Sequence, residues 1–229
     1  MKKTLAVVAS ASVLVATSAV SANELGYGFS WGGDFGVTSN DIFQGQSETG
    51  GRPAIFGGFE IEHESGFYLG NANLSLFGGK EDPSYLEMEV YGGYGFDVTD
   101  ALSLDLGVSH FFFPAAGGRA EFTELYAGVG YSFGDLDTGF TVLYELDDGE
   151  YLEYILGSGY SMPFNTFAFA ELAYVDFDDS DATDFTYWLL GVGVSYAGLD
   201  FSVSYGDNDL SRREGGDGEQ FAFTISTEF

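Results

Sequence analysis

The 229-residue chain has no cysteine, so disulfides, metal thiolates and cysteine nucleophiles are excluded. Proline is scarce, with 4 residues, and beyond the N-terminus no segment approaches the roughly eighteen uninterrupted apolar residues of a spanning helix. Basic residues are few as well: 7 Lys and Arg face 36 Asp and Glu, for a formal net charge of −29. A chain of that sign repels phosphate backbones, which argues against a nucleic-acid partner. What is present is glycine, 34 residues, and 17% aromatics, a composition suited to long strands whose rings meet an interface.

Residues 1–22 begin with Lys2 and Lys3, continue with an apolar run from Leu5 to Ala16, and end on the small residues Val20, Ser21 and Ala22. This is the pattern of a secretory signal peptide cleaved after Ala22. It leaves 23–229 as one domain, with five basic residues, Arg52, Lys80, Arg119, Arg212 and Arg213. If that domain enters a membrane, it does so as strands.

The last ten residues set the pattern. Phe221, Phe223, Ile225 and Phe229 alternate with Ala222, Thr224, Ser226 and Glu228, a period of two that gives a strand one apolar face. Chain ends in soluble proteins usually fray. An apolar strand ending on Phe229 instead suits the closing strand of an outer-membrane barrel, where no edge can be left in lipid. Phe229 is then the expected signal to the barrel assembly machinery.

The same alternation recurs upstream. Tyr27 to Val37 and Ala54 to Glu62 place Phe29, Phe35, Ile55, Phe59 and Ile61 on one face; Phe56 falls on the other. In Phe67 to Phe77 the apolar face reads Tyr68, Ala72, Leu74 and Leu76, opposite Asn71, Asn73 and Ser75. Later strands are led by Val90, Leu106, Val129, Phe140, Leu156, Val192 and Val203. Thr166 to Asp176 has no clear orientation, because Phe167 and Phe169 share a face with Glu171. The expectation is an all-β, antiparallel transmembrane barrel of twelve strands.

Two patterns test it. Longer connections, at Asn40 to Arg52, Gly79, Pro114, Asp178 and Asp207, alternate with short ones at Glu64, Asp97, Gly134, Pro163 and Ala197, as outer loops and periplasmic turns do. Only Asp147 to Glu150 is short for an outer loop. Phe29, Tyr94, Phe96, Tyr131, Phe133, Tyr160, Tyr196 and Phe229 also fall on the outward face at the short-turn ends, which is where a membrane-interface belt belongs.

The opposite faces define the candidate lumen: Asp34, Glu60, Glu62, Glu87, Glu89, Tyr91, Asp105, Glu124, Tyr126, Glu145, Glu153 and Asp200. Carboxylates facing hydrocarbon are costly, so they belong inside, while the five basic residues fall in the longer connections. Twelve strands about 4.8 Å apart and tilted near 40° enclose a backbone diameter of roughly 24 Å. Inward Gly28, Gly32, Gly36, Gly157, Gly191 and Gly193 leave space; inward Tyr91, Tyr126 and Tyr187 fill it. The expectation is a cation-selective diffusion channel for small hydrophilic or ionic solutes. The alternative is a closed barrel whose outer loops bind a surface partner or polysaccharide.

Other chemistry finds little support. Ser109 and His110 are adjacent on a strand and point to opposite faces, and His63 lies at a short turn, so no nucleophile and base are assembled and no enzyme is expected. The acidic stretches Asp176 to Asp184 and Asp207 to Glu219 lack the Gly and final Glu of a calcium loop and read as solvated outer loops. No cofactor is expected. The basic outer loops could touch lipopolysaccharide phosphates.

Residues Asn40 to Gly70 include Phe43, Gly45, Ser47 and Thr49, then Pro53-Ala54, Gly57-Gly58, and His63 with Ser65, Gly66 and Tyr68. This stretch resembles the start of the TorF porin family of proteobacterial outer-membrane proteins, and Glu89 to Gly93 and Glu124 to Gly128 resemble its later strands. Gln44 and Glu48 depart from the Arg and Gln expected there. The resemblance implies an outer-membrane pore, with no catalytic residue to carry over.

Overall fold

The computed structural model describes residues 23–77, 85–114, 121–147, 151–178 and 182–229. The proposed signal peptide, Lys80 and Arg119 lie outside them.

Twelve long strands close into one antiparallel barrel. They are β2 (Phe29–Thr38), β5 (Ala54–His63), β6 (Phe67–Ser75), β7 (Leu86–Asp97), β8 (Leu102–Phe112) and β9 (Phe122–Phe133), followed by β10 (Leu136–Glu145), β11 (Tyr151–Met162), β12 (Thr166–Phe177), β13 (Phe185–Tyr196), β14 (Leu199–Asn208) and β15 (Gln220–Glu228). Each pairs with its neighbour in sequence, and β15 closes on β2 through partners running from Thr224 and Thr38 to Glu228 and Asp34. Phe229 extends the seam, since its N–H donates to the Gly33 carbonyl and its carbonyl accepts from the Gly33 N–H, both at 2.9 Å. Where β15 stops, the short strand β1 (Asn23–Gly26) continues along β2 opposite Trp31, Ser30 and Phe29. The sequence reads one strand from Tyr27; the chain instead turns at Tyr27 and Gly28, whose φ of 57° and 80° suit a two-residue hairpin turn.

The apolar face of most strands is the outer wall, as the alternation predicts. Leu106, Leu156, Leu172, Leu190, Val192, Val203 and Phe223 are all exposed in the isolated chain, as lipid-facing residues are. The interface belt also forms: Phe67 and Tyr94 rings stand 4.8 Å apart, Tyr131 and Phe133 4.3 Å, and Trp31 and Phe229 6.1 Å.

β6 is a correction. Phe67 and Leu69 are 63% and 60% exposed, whereas Leu74 and Leu76 are 6% and 7%, so Tyr68, Ala72, Leu74 and Leu76 face inward and Asn71, Asn73 and Ser75 outward. Inside, Leu74 and Leu76 pack with Ala54, Phe111 and Phe113. Outside, the Asn73 amide folds onto the wall and donates to the Gly57 carbonyl at 3.0 Å. β12 also gains its orientation: Phe167 and Phe169 are buried inward, and the outward set is Ala168, Ala170 and Leu172.

Candidate functional site

The lumen divides into two layers along the barrel axis. Toward the short turns the inward Asp34, Glu60, Glu62, Asp200 and Glu228 are half-buried, whereas toward the long loops most inward side chains are packed.

In the open layer, acids line adjacent strands. Asp34 on β2 is cross-strand partner to Glu228 on β15, and Asp200 on β14 is partner to Ser226 of β15. On the other side of Asp34, β5 carries Glu60 and Glu62. A band of Asp200, Glu228, Asp34, Glu60 and Glu62 therefore crosses four neighbouring strands. Asp105 accepts a 2.7 Å hydrogen bond from the Tyr68 hydroxyl, which also bonds Tyr126 at 2.7 Å. No described Lys or Arg stands on a strand: Arg52, Arg212 and Arg213 are all in connections, and Arg52 lies over the Phe77 ring.

The packed layer contains Glu89, Glu124, Glu145 and Glu153, all buried. Tyrosines satisfy two of them: Tyr151 donates to Glu124 Oε1 and Tyr187 to Glu153 Oε1, each at 2.5 Å. Around them sit apolar clusters unlike a water-filled pore. One joins Ala173, Val175, Phe185 and Tyr187; in another, Phe111 and Phe122 stack at 4.4 Å.

The connection after β2 completes this layer, and here the reading of Asn40 to Arg52 as an outer loop is corrected. It folds into the barrel mouth as a hairpin of β3 (Ile42–Phe43) and β4 (Gln46–Ser47). Gln44 and Gly45 form its tip with φ of 49° and 72°, the signature of a type I′ turn. Ile42 is buried against Phe167, Phe169, Leu189 and Ala222 on the inner wall. At the tip, Gln44 Nε2 donates to Glu153 Oε2 at 3.2 Å, and Asn208 Nδ2 donates to the Gln44 carbonyl at 3.1 Å. A Cβ on Gly45 would stand 2.4 Å from the Asp207 carbonyl oxygen, so only glycine permits this approach.

The base of the hairpin is latched by Asn40. Its Oδ1 accepts from Ser47 Oγ at 2.5 Å and Thr49 Oγ1 at 3.1 Å, while its Nδ2 donates to Gln220 Oε1 at 3.2 Å. Beside the latch, burial and then the neighbouring Glu48 push the Asp41 carboxyl up to about 7. Hairpin residues thus tie the first connection to the wall at several points.

The inward glycines are the third correction. Gly36, Gly191 and Gly193 do not open space, because aromatic rings lie on them. Added Cβ atoms would meet Phe56 from Gly36 at 2.3 Å, Tyr126 from Gly107 at 2.2 Å, Phe169 from Gly191 at 1.9 Å and Phe167 from Gly193 at 2.2 Å. Glycine allows a ring to lie flat on the wall, as in aromatic rescue. Phe56, on the unexpected face in the sequence pattern, is there for that reason.

Every residue named for the lumen is on the inward face, including Glu87 opposite Leu74, and Tyr91. Glu228, Glu171, Asp137, Tyr68, Tyr151 and Gln44 join them unanticipated. Glu228 was legible from its alternation with Phe229; Glu171 and Tyr68 were hidden by the two misleading strands. Ser109 is buried inward while His110 bonds Thr123 on the other face. His63 Nδ1 bonds Ser65 Oγ and accepts from the Ser65 N–H, a local turn contact. Several outer-loop acids cap strand ends: Asp184 accepts from the Phe177 N–H and Asp209 from the Thr186 N–H. Among the described residues no three metal-ligating side chains converge.

A closed twelve-stranded antiparallel barrel with an apolar belted exterior and an acidic interior defines the class: a β-barrel of porin fold. The chain belongs to the Gcw_chp family, described as a bacterial protein of unknown function, which matches residues 22–226. Comparison with curated proteins gives no match. Among solved structures, the KdgM porin superposes with a TM-score of 0.62 at 10% identity, covering 86% of this chain and 98% of that one. A KdgM porin in complex with disordered oligogalacturonate gives 0.61 at 12%, over 86% and 99%. The NanC porin gives 0.59 at 9%, over 87% and 98%. At these identities the likeness is one of fold.

Proposed function

We propose that the protein is a passive outer-membrane channel for small hydrophilic or ionic solutes, selective for cations. The observation that carries this reading is the acidic band from Asp200 through Glu228 and Asp34 to Glu60 and Glu62. No described basic residue stands on the strands beside it. In a narrow aqueous layer such carboxylates concentrate cations and repel anions. The porin fold and the resemblance of Asn40 to Gly70 to the TorF porin family support the same reading. Residues 1–22 act as the secretion signal, the barrel assembly machinery inserts the chain, and Arg212 and Arg213 face lipopolysaccharide phosphates. No catalytic step is assigned to it.

The docked hairpin and packed outer layer favour a second reading, a closed barrel whose loops bind a surface partner. Planar-bilayer recording under a KCl gradient separates the two. The channel reading expects a reversal potential of cation-selective sign, reduced when Asp34, Glu60 and Glu62 are changed to Asn, Gln and Gln. Anion preference, or cation preference indifferent to these changes, refutes the selectivity mechanism. Absence of conductance, even with the hairpin removed, favours the closed barrel.

A further inference from the structure

Ser109 on β8 faces inward and is 0% exposed, yet its Oγ has no hydrogen-bond partner. A hydroxyl carries one donor and two acceptor lone pairs, and burying it unbonded is costly. Larger neighbours define the space around it. Toward the short turns the Tyr126 ring lies over Gly107, and toward the long loops Phe111 stacks on Phe122. Tyr91, its cross-strand partner on β7, leans the other way, with its hydroxyl against Gly70 of β6.

Two carboxylates flank the serine. Glu124 is its cross-strand partner on β9. Glu89 opposes Phe111, two residues along β8, and so stands diagonal to Ser109 on the same inward face. Both glutamates are buried, at 3% and 1% exposed, and Glu89 is near enough to act on the Glu124 charge. Directly opposed residues have Cβ atoms about 4.5 to 5.5 Å apart and diagonal ones about 7 to 8 Å. Glutamate side chains at those spacings can reach around one ion set over Ser109.

Buried carboxylates need compensating charge, and no described Lys or Arg stands on a strand. Tyr151 bonds one oxygen of Glu124 from β11 but brings no charge. Water would satisfy the hydroxyl and leave the charge, whereas a shared proton would neutralise charge and leave the hydroxyl. A cation answers both needs, because hydroxyl and carboxylate oxygens are hard ligands that face the ion they share and not each other. Ca²⁺ takes about six to eight oxygens and Mg²⁺ keeps several waters. That is a fuller shell than this place offers, since among the described residues no three metal-ligating side chains converge. We propose that Ser109, Glu89 and Glu124 bind one dehydrated alkali-metal cation within the packed layer. The site forms in a conducting or a closed barrel alike.

To test it, the unmodified protein is refolded from denaturant into detergent in NaCl, KCl or choline chloride, at equal ionic strength and one neutral pH. The temperature at which the heat-modifiable barrel is lost is then read on gels. At least one alkali salt should raise that temperature in a saturable way, and choline, too large for the site, should not. Ser109→Ala deletes no hydrogen bond, so in choline its barrel should melt no lower than the unmodified one. Its half-saturating alkali concentration should rise roughly tenfold, as loss of one ligand implies. Glu89→Gln should abolish the alkali response, and Glu62→Gln, in the open layer, should leave it intact. Equal melting of the unmodified protein in all three salts overturns the proposal and leaves the layer to protons or water. An alkali response that Ser109→Ala and Glu89→Gln both leave unchanged overturns it as well.

Discussion

Undocking the β3–β4 hairpin is the perturbation that most directly tests the two-layer lumen. Ile42 is 5% exposed and anchored among Phe167, Phe169, Leu189 and Ala222, a site where truncation to Ala typically costs about 2 to 5 kcal/mol. The hairpin forms a sheet of its own outside the closed ring of strands, so that loss is expected to fall on the docking equilibrium and not on the barrel. At 1.4 kcal/mol per factor of ten, even the lower figure raises the undocked-to-docked ratio about thirtyfold. Gln44→Ala removes the bond to Glu153, and a hydrogen bond contributes about 0.5 to 1.5 kcal/mol net. The double variant should open more often, and to a larger conductance, in single-channel recording. Heat-modifiability on gels checks that the barrel is intact. If an intact double variant conducts no differently from the unmodified protein, the hairpin does not obstruct the lumen.

Docking should also depend on pH. Asp41 has an ordinary value of 3.8 and is raised to about 7 in the docked hairpin by burial and Glu48. A carboxyl with a raised folded value binds its proton more tightly when docked. Docking is therefore strongest at acid pH and weakens as pH climbs from about 4 through 7; open probability should rise over that window, and Asp41→Asn should flatten the rise. Deleting Phe229 removes both bonds to Gly33 and the contact with Trp31, so secretion should persist while folded barrel in the outer membrane falls sharply; normal assembly of the truncated chain would contradict its closing role. On the outer wall, Leu106→Lys or Val192→Lys should cost about 2 to 4 kcal/mol in reversible unfolding near the midplane. Ser202→Lys, facing the open layer, should be far better tolerated.

The barrel was legible because its signals are local and repeated. A period of two, alternating connection lengths and aromatics at one end of each strand need no knowledge of which strand meets which. β6 failed because face polarity is a proxy for environment, and the proxy breaks when an amide can satisfy itself on the wall, as Asn73 does at Gly57. β12 was ambiguous for the complementary reason. Phe167 and Phe169 are inside because Gly193 and Gly191 on β13 leave flat beds for their rings, a relation between strands invisible along either one. The hairpin was hidden most deeply. Its Gln44-Gly45 tip is a recognisable turn, but that it points inward depends on Ile42 meeting residues of β12, β13 and β15, more than a hundred positions away.

Separating the layers gives each a different physical task. On the proposed channel reading, the open layer, with the half-buried Asp34, Glu60, Glu62, Asp200 and Glu228, is where fixed charge would bias which ions enter, without any moving part. The packed layer cannot select in that way, because Glu124 and Glu153 are already held by Tyr151 and Tyr187 and water is excluded around them. On the same reading, whether this layer is open would depend on whether the hairpin is docked. Substitutions at Asp34, Glu60 and Glu62 should therefore shift the reversal potential with little effect on open probability, and substitutions at Ile42 and Gln44 the reverse. A single variant that moved both quantities equally would mean that one constriction performs both tasks, and the division at the level of the hairpin tip would be wrong.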